Sequence, residues 1–485
     1  MDLEKFLSEL GYSDSPHFLR RGTAEFKTAP DFGHVFRNAA KKPCHLEGVY
    51  TLRKDATSRT DPLVPVAYVC RADSDQAADE VHRLVWNQDV VPFVLVHSPT
   101  GFRLYSGFRF QPRKKEGLDQ GVLRQLTVFN KLAEIAESFH SDAIDNGSIW
   151  RKWGGEVTTD TRVDWKLLDN LKSLDIWLQK KGGLKRDISH ALIGKYVYLH
   201  YLKDRNILSR DRLAEWKLDE SAIFGQNATK AGLRAVIERL DEWLNGSVFP
   251  LNLTGRQSPS DDLIRTVAGI FHGDEIVGND LQLHLDFAMY DFSYIPIETL
   301  SVIYEQFLHM PEADGKKTKG KEAAAYYTPI PVVNFMLSEM DEKLPLKRGM
   351  KVLDPACGSG AFLVQSYRRL IEREFPDNKK KPTPHQLKAL LEDHIFGIDS
   401  DPDACRVTEL SLILTLLDYV DPPDLLPTVG DKRGSPFKLP TLSAINIRHA
   451  NFFSTQIDSK TGSVPGQFDW IVGNPPWKRL NPKNL

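Results

Sequence analysis

The sequence predicts an α/β protein whose C-terminal part opens a Rossmann-like sheet, and three observations carry that expectation. Val352-Leu353-Asp354 is a short apolar strand closed by an acid, and a small-residue turn, Pro355 to Gly360, and a helical pattern from Phe362 to Phe375 follow it. Ile395-Phe396-Gly397-Ile398-Asp399 is a second apolar strand that ends in an acid. Phe468 to Val472 is a third, and it delivers Gly473-Asn474-Pro475-Pro476-Trp477 to the same edge. Ligands of open α/β sheets bind at that carboxyl edge. Glycines in the turn let a ligand lie where a Cβ would collide. The turn lacks the G-x-G-x-x-G spacing of a dinucleotide site, which favours a ligand without a pyrophosphate. An acid ending the second strand is the usual holder of ribose hydroxyls, so Asp399 points to an adenosine moiety.

Asp354-Pro355-Ala356-Cys357-Gly358-Ser359-Gly360 and Asn474-Pro475-Pro476-Trp477 together resemble the amino-methyltransferases that use S-adenosyl-L-methionine. The resemblance is closest to the adenine-N6 DNA methyltransferases of type I and type IIG restriction-modification and of phage-defence systems of the BREX or DISARM kind. Their signatures, D-P-A-C-G-S-G and N-P-P-[YFW], stand here in the family order. The resemblance implies that Asp354, Pro355, Ala356, Gly358, Gly360 and Asp399 bind the cofactor. It makes Asn474, Pro475, Pro476 and Trp477 catalytic, double-stranded DNA the substrate, and no metal necessary.

The chemistry explains those residue types. An exocyclic adenine amine is a poor nucleophile because its lone pair is conjugated with the ring. Two acceptors on its hydrogens, the Asn474 side-chain oxygen and the Pro475 carbonyl, would localise that pair on nitrogen. Proline fixes φ and cannot continue a helix, which keeps the turn open. Trp477 would stack on a base swung out of the duplex. Transfer is a direct displacement at the sulfonium methyl, dominated by positioning. Cys357 is then a small packing residue rather than a nucleophile.

Composition sets the bounds. The 485 residues, 41% hydrophobic and 26% charged, suffice for two or three domains with full cores. A net charge of −2 means that any nucleic-acid surface is a local patch or belongs elsewhere. Cys44, Cys70, Cys357 and Cys405 form no C-x-x-C pair and suit a reducing cytoplasm without disulfide framework or zinc site. No signal peptide opens the sequence and no apolar run reaches about 18 residues, so a cytoplasmic, non-membrane protein is expected.

Three domains are expected. Residues 1–115 form a small α/β domain, with strands at Val49 to Arg53, Val64 to Cys70 and Pro92 to Val96 and a helix at Asp75 to Trp86. The layout resembles the nuclease-like domains at the front of some single-chain restriction-modification enzymes, in which an acid, one residue and a lysine bind magnesium. Tyr68-Val69-Cys70-Arg71 stands where that pair is wanted. A hard cation needs carboxylate oxygens, and only Glu47 and Asp61 lie nearby. A degenerate nuclease-like or docking domain is expected.

After a linker at Arg113 to Gly117, residues 119–295 read as helical. Leu123, Leu126, Phe129, Leu132, Ile135, Ala136 and Phe139 recur at three and four, and further helices run at Asp164 to Lys180, Ile188 to Asn206 and Lys230 to Leu244. Leu192 to Arg205 resembles the helical lead-in of type I and type IIG modification proteins, and a plain amphipathic core helix explains it equally well.

Residues 296–485 are the expected methyltransferase domain. Ile303 to Leu308 ends a helix, a lysine-rich stretch 315–321 follows, and Tyr327-Thr328-Pro329 leads into a helix from Val332 to Met340. This is similar to the family motif that caps the methionine end of the cofactor, which assigns Tyr327, Thr328 and Pro329 to it. The lysine stretch is either a phosphate contact or a solvated charge run. The third sheet strand is expected to end within Asn446 to Phe453. There the family places Asp or Asn, so Asn451 would pair with the adenine edge and Phe452 pack on its face.

Family members continue past N-P-P-[YFW] with further strands and a target-recognition domain. The sequence is therefore expected to be the N-terminal part of the fold, completed by a longer chain or a partner subunit. Two other readings stay open: a methyltransferase for protein glutamine or ribosomal guanine, which share N-P-P-[YF], and a non-catalytic cofactor-binding subunit.

Overall fold

The computed structural model describes residues 2–29, 31–53, 63–110, 122–126, 132–157, 161–244, 251–255, 258–272, 289–308, 328–376, 381–425, 437–454 and 467–475. The 113–117 linker, Asp61, the 315–321 lysine stretch, Tyr327, Pro476 and Trp477 lie outside the described residues. The chain groups into two compact units, Met1–Leu167 with Met289–Pro296, and Leu168–Ala288 with Ile297–Leu485.

The first unit is built on a six-stranded sheet in chain order: β1 (Phe18–Arg20), β2 (Leu46–Leu52), β3 (Val64–Arg71), β4 (Phe93–Ser98), β5 (Gly101–Ser106) and β6 (Val122–Leu126). Only β3 and β4 pair in parallel, and the crossover between them is helix α1 (Asp75–Gln88). Ser74 caps that helix by accepting from the Ala77 N–H. Strand residues alternate between two buried faces. Tyr68, Cys70, Val94 and Val96 join one cluster, whereas Ala67, Val69, Phe93 and Leu95 join another. Helix α2 (Leu132–Phe139) adds Ile135 and Phe139 to the second cluster, with Ile144 and Ile149 behind it. These contacts tie the residues through Ile149 to the N-terminal sheet.

One expectation is corrected here. The stretch at Leu123 to Leu126 reads as helical by its spacing, yet Val122–Leu126 is a strand antiparallel to β5, with Phe102 opposite Leu126 and Leu104 opposite Arg124. A five-residue segment with apolar residues only at Val122, Leu123 and Leu126 is too short for periodicity to separate helix from strand. The unpaired edge of β5 decides the matter by offering hydrogen-bond partners.

In the nuclease-like layout Tyr68 and Cys70 are fully buried core residues. Glu47 pairs with Arg21 and Arg71 at 3.6 and 3.8 Å.

The second unit joins helices to a four-stranded parallel sheet. Its helices include α3 (Arg186–Asp204), α4 (Lys230–Leu244), α5 (Ile297–Leu308), α6 (Ile330–Lys343), α7 (Ala361–Glu374), α8 (Pro384–His394) and α9 (Pro402–Asp418). Strands β7 (Val352–Asp354), β8 (Ile395–Asp399), β9 (Ile447–His449) and β10 (Trp470–Ile471) lie in the order β10-β7-β8-β9. All neighbours pair in parallel, so the strand ends at Asp354, Asp399, His449 and Ile471 meet along one edge.

The lead-in helices are bonded into this unit. Tyr201 Oη of α3 donates to the Leu414 carbonyl at 3.2 Å, and Arg205, just past α3, pairs with Asp418 at 2.7 Å. Helix α5 packs along α9, where Ser301 and Ser411 hydroxyls meet at 2.6 Å.

Candidate functional site

The site grows from the end of β7. Asp354 is 1% exposed, and its Oδ1 accepts from the Ala356 N–H at 3.0 Å, which starts the turn. The Cys357 N–H donates to the Ile398 carbonyl at 3.0 Å, tying the turn to β8. Gly358 N–H then donates to Asp399 Oδ2 at 2.9 Å, and Asp401 N–H to Asp399 Oδ1 at 2.8 Å. Asp399 is thus held by both oxygens while its side chain stays half-buried at the sheet edge. A carboxylate has about four acceptor positions, so capacity for two hydroxyls remains. Burial, aided by the Asp399 charge and opposed by the Ala356 N–H, pushes the Asp354 carboxyl up to about 7.

The two assigned glycines differ in what they do. Gly360 has φ +86°, and a Cβ there would stand 3.0 Å from the Thr408 methyl and 3.1 Å from its hydroxyl. Its lack of a side chain lets the turn seat on α9 and start α7. Thr408 Oγ1 also donates to the Gly358 carbonyl at 2.7 Å. Gly358 has φ +54°, and among the described residues a Cβ there would meet only Glu305 Oε1, at 3.7 Å. Of the two, Gly358 is the glycine with open space on its Cβ side among the described residues. Pro355 and Ala356 are half-buried.

Cys357 is 4% exposed beside Gly397 and Thr408. The Cys405 thiol and burial push its own thiol well up. A thiol kept protonated is a packing group, not a nucleophile.

The second signature reaches the same place by register. Ile471 lies opposite Leu353, and Val472 N–H donates to the Leu353 carbonyl at 2.9 Å. A Cβ at Gly473 would stand 2.4 Å from Asp354 Oδ1, so glycine alone lets β10 run on past this carboxylate. Asn474 follows, half-buried, and then Pro475, exposed. Asp354 therefore joins the glycine turn and the Gly473-Asn474 segment from beneath.

Asn451 and Phe452 close the other side. Ala450 N–H donates to the Asp399 carbonyl at 2.8 Å, which sets the exposed Asn451 beside the end of β8. Asn451 Oδ1 accepts from the Phe453 N–H at 3.1 Å, and Phe452 packs against Leu353, Phe396 and Ile398. Thr328 and Pro329 stand at the start of α6, Pro329 as its N-cap. Arg369 reaches Asn334 and Ser338 while Arg373, one turn on, reaches Asp341. Helices α6 and α7 thus run in the same sense, which brings Thr328 and Pro329 to the end where the glycine turn begins α7.

The sequence reading missed Glu305. Its signal was the spacing Glu298, Ser301, Glu305, which puts all three on one face of α5. Among the described residues, no group of three or more His, Cys, Asp or Glu side chains is placed to hold a metal ion.

The N-6 DNA Methylase family matches residues 296–423, and the Eco57I restriction-modification methylase family matches residues 393–484. The type I restriction enzyme MjaIX methylase subunit of Methanocaldococcus jannaschii is 37% identical over 114 residues, 23% of this chain and 16% of that protein. The type II restriction enzyme and methyltransferase RM.Eco57I of Escherichia coli is 25% identical over 368 residues, 66% of this chain and 34% of that protein. The chain thus spans about a third or less of the length of these relatives. The type IIG restriction endonuclease BpuSI aligns over 81% of this chain and 40% of its own at 12% identity, with a TM-score of 0.27, too low to carry a statement about fold. Through residues 296–484 the chain is related to the N6-adenine DNA methylases of type I and type II restriction-modification systems, a family that uses a methyl donor.

Proposed function

We propose that this chain holds S-adenosyl-L-methionine at the edge formed by β7, β8 and β10 and carries the residues that methylate adenine N6 in double-stranded DNA. The setting is a bacterial restriction-modification or anti-phage defence system. The observation that carries the reading is the convergence on Asp354: the ligand-accepting glycine turn and the Asn474 segment both rest on it. When bound, the cofactor supplies a methyl group on a sulfonium. Asp399 accepts from the ribose hydroxyls, with Asn451 at the adenine edge and Phe452 at its face. Gly358 admits the cofactor to the backbone, while Tyr327, Thr328 and Pro329 cap its methionine end. Asn474 Oδ1 and the Pro475 carbonyl accept the two amine hydrogens of the target base, and Trp477 stacks on that base.

Transfer of tritiated methyl to the N6 position of unmethylated duplex DNA tests this. Asn474→Ala is expected to lower turnover by about two to three orders of magnitude with cofactor affinity nearly unchanged. Asn474→Asp, still an acceptor, is expected to retain more activity than Ala. Equal single-turnover rates for the two variants would remove hydrogen-bond acceptance as the source of rate. Label found on protein glutamine or ribosomal guanine instead of DNA would move the chain to a different substrate class.

A further inference from the structure

Helix α5 brings a carboxylate to the glycine turn that neither signature contains. Glu298, Ser301 and Glu305 are three and four residues apart, so they stack along one face of α5. The first two fix that face against the sheet's helices. Glu298 Oε1 accepts from Arg368 Nε at 2.6 Å and from Gln365 Nε2 at 2.9 Å, and Ser301 meets Ser411. Beside Glu305, Tyr304 and Phe307 are fully buried. Two turns beyond Glu298, at about 1.5 Å per residue, Glu305 arrives over the turn with Oε1 3.7 Å from the point a Gly358 Cβ would occupy. Its side chain is half-buried. The helix is thus anchored at one end of the face and presents an acid at the other, inside the segment that matches the N-6 DNA Methylase family.

Resting on the cofactor reading above, we propose that Glu305 is a binding residue for the α-ammonium of the methionine moiety of S-adenosyl-L-methionine. The open side of Gly358 is where a ligand meets the turn, and Glu305 borders that opening. The ligand offers two positive centres, the sulfonium and the ammonium. Charge logic separates them. The sulfonium loses its charge as the methyl leaves, so a carboxylate beside it would stabilise the ground state more than the transition state and slow transfer. The ammonium keeps its charge throughout, so an ion pair there adds affinity at no cost to rate. Asp399, held at the turn by the Gly358 N–H, already sets a carboxylate beside this opening. Of the two charged groups at the amino-acid end, the ammonium and not the α-carboxylate suits a position beside Glu305.

The test is titration calorimetry on the full chain with Glu305→Gln, an isosteric change that removes the charge. Three probes are used: S-adenosyl-L-methionine, S-adenosylhomocysteine, which keeps the ammonium and lacks the sulfonium charge, and methylthioadenosine, which lacks the amino-acid end. Both amino-acid-bearing probes are expected to weaken alike, by about 10- to 100-fold, with methylthioadenosine unchanged. Loss for S-adenosyl-L-methionine alone would assign Glu305 to the sulfonium and overturn the proposal. Equal loss for all three, or for none, would overturn it too while leaving the cofactor reading standing. Failure of the wild-type chain to bind S-adenosylhomocysteine would overturn the cofactor reading and this assignment with it.

Discussion

Asp354 and Asp399 end neighbouring strands, and burial gives them different work. Asp399 stays half-buried and is fixed by the Gly358 and Asp401 N–H groups. Asp399→Ala is expected to weaken S-adenosyl-L-methionine binding by about 10- to 150-fold, the loss of a charge-assisted acceptor worth roughly 1.5 to 3 kcal/mol. Unchanged affinity by calorimetry would defeat the ribose assignment. Asp354 sits beneath both signatures with its carboxyl pushed up to about 7. The folded chain therefore binds this proton more tightly than the unfolded chain, whose aspartates titrate near 3.9. Stability from the protonated side chain is complete below that value and lost as pH rises through about 7. Urea unfolding of the ligand-free chain is expected to lose on the order of 2 kcal/mol from this group between about pH 5 and 8. Asp354→Asn keeps an acceptor for the Ala356 N–H and cannot ionise, so it should flatten that fall. A variant as pH-sensitive as the wild type would rule Asp354 out.

Between helices, the decisive contact is a buried ionic junction. Arg368 of α7 is 3% exposed and donates to Glu298 of α5 at 2.6 Å and to Asp418 of α9 at 3.1 Å, while Arg205 holds Asp418 at 2.7 Å. Burial alone would discourage charge on Arg368, but Glu298 and Asp418 hold its proton. Arg368→Met strands Glu298 without its cation and is expected to cost about 3 to 5 kcal/mol in urea unfolding, whereas adding Glu298→Leu should return much of it. A single variant within about 1 kcal/mol of wild type would show that the junction does not hold the helices together. None of these pairings is visible in the sequence, since Glu298, Arg368 and Asp418 are far apart along the chain. What was legible was local. Strands β3, β7 and β8 and helices α1, α4 and α7 follow from apolar period and from punctuation by Gly and Pro. Strand β6 was not, because its partner β5 decided it. The site divides likewise. Asp399 and Gly358 were legible from the motif, while Gly360's debt to Thr408 and Glu305's approach to the turn depend on residues brought together only by folding.

The two units raise the question of whether the first keeps an activity of its own. Its β3-α1-β4 crossover within a mixed sheet has the layout in which an acid, one residue and a lysine would bind magnesium. Here that strand spends Tyr68 and Cys70 on the core, both fully buried, and the Cys70 thiol is pushed well up by burial and by Cys44. Glu47, on the neighbouring strand, faces Arg21 and Arg71, so its charge is already shared with two guanidinium groups. A divalent cation would have to displace those partners, and among the described residues no group of three or more His, Cys, Asp or Glu side chains is placed to receive a hard ion that takes about six oxygens. We therefore expect the chain to leave plasmid DNA intact in magnesium or manganese. Supercoiled plasmid incubated with the full chain, with and without S-adenosyl-L-methionine, measures this by nicking and linearisation. Metal-dependent cleavage that disappeared in Glu47→Ala would show that the arginine pairs open to admit a cation, and would make the first unit a nuclease rather than a scaffold.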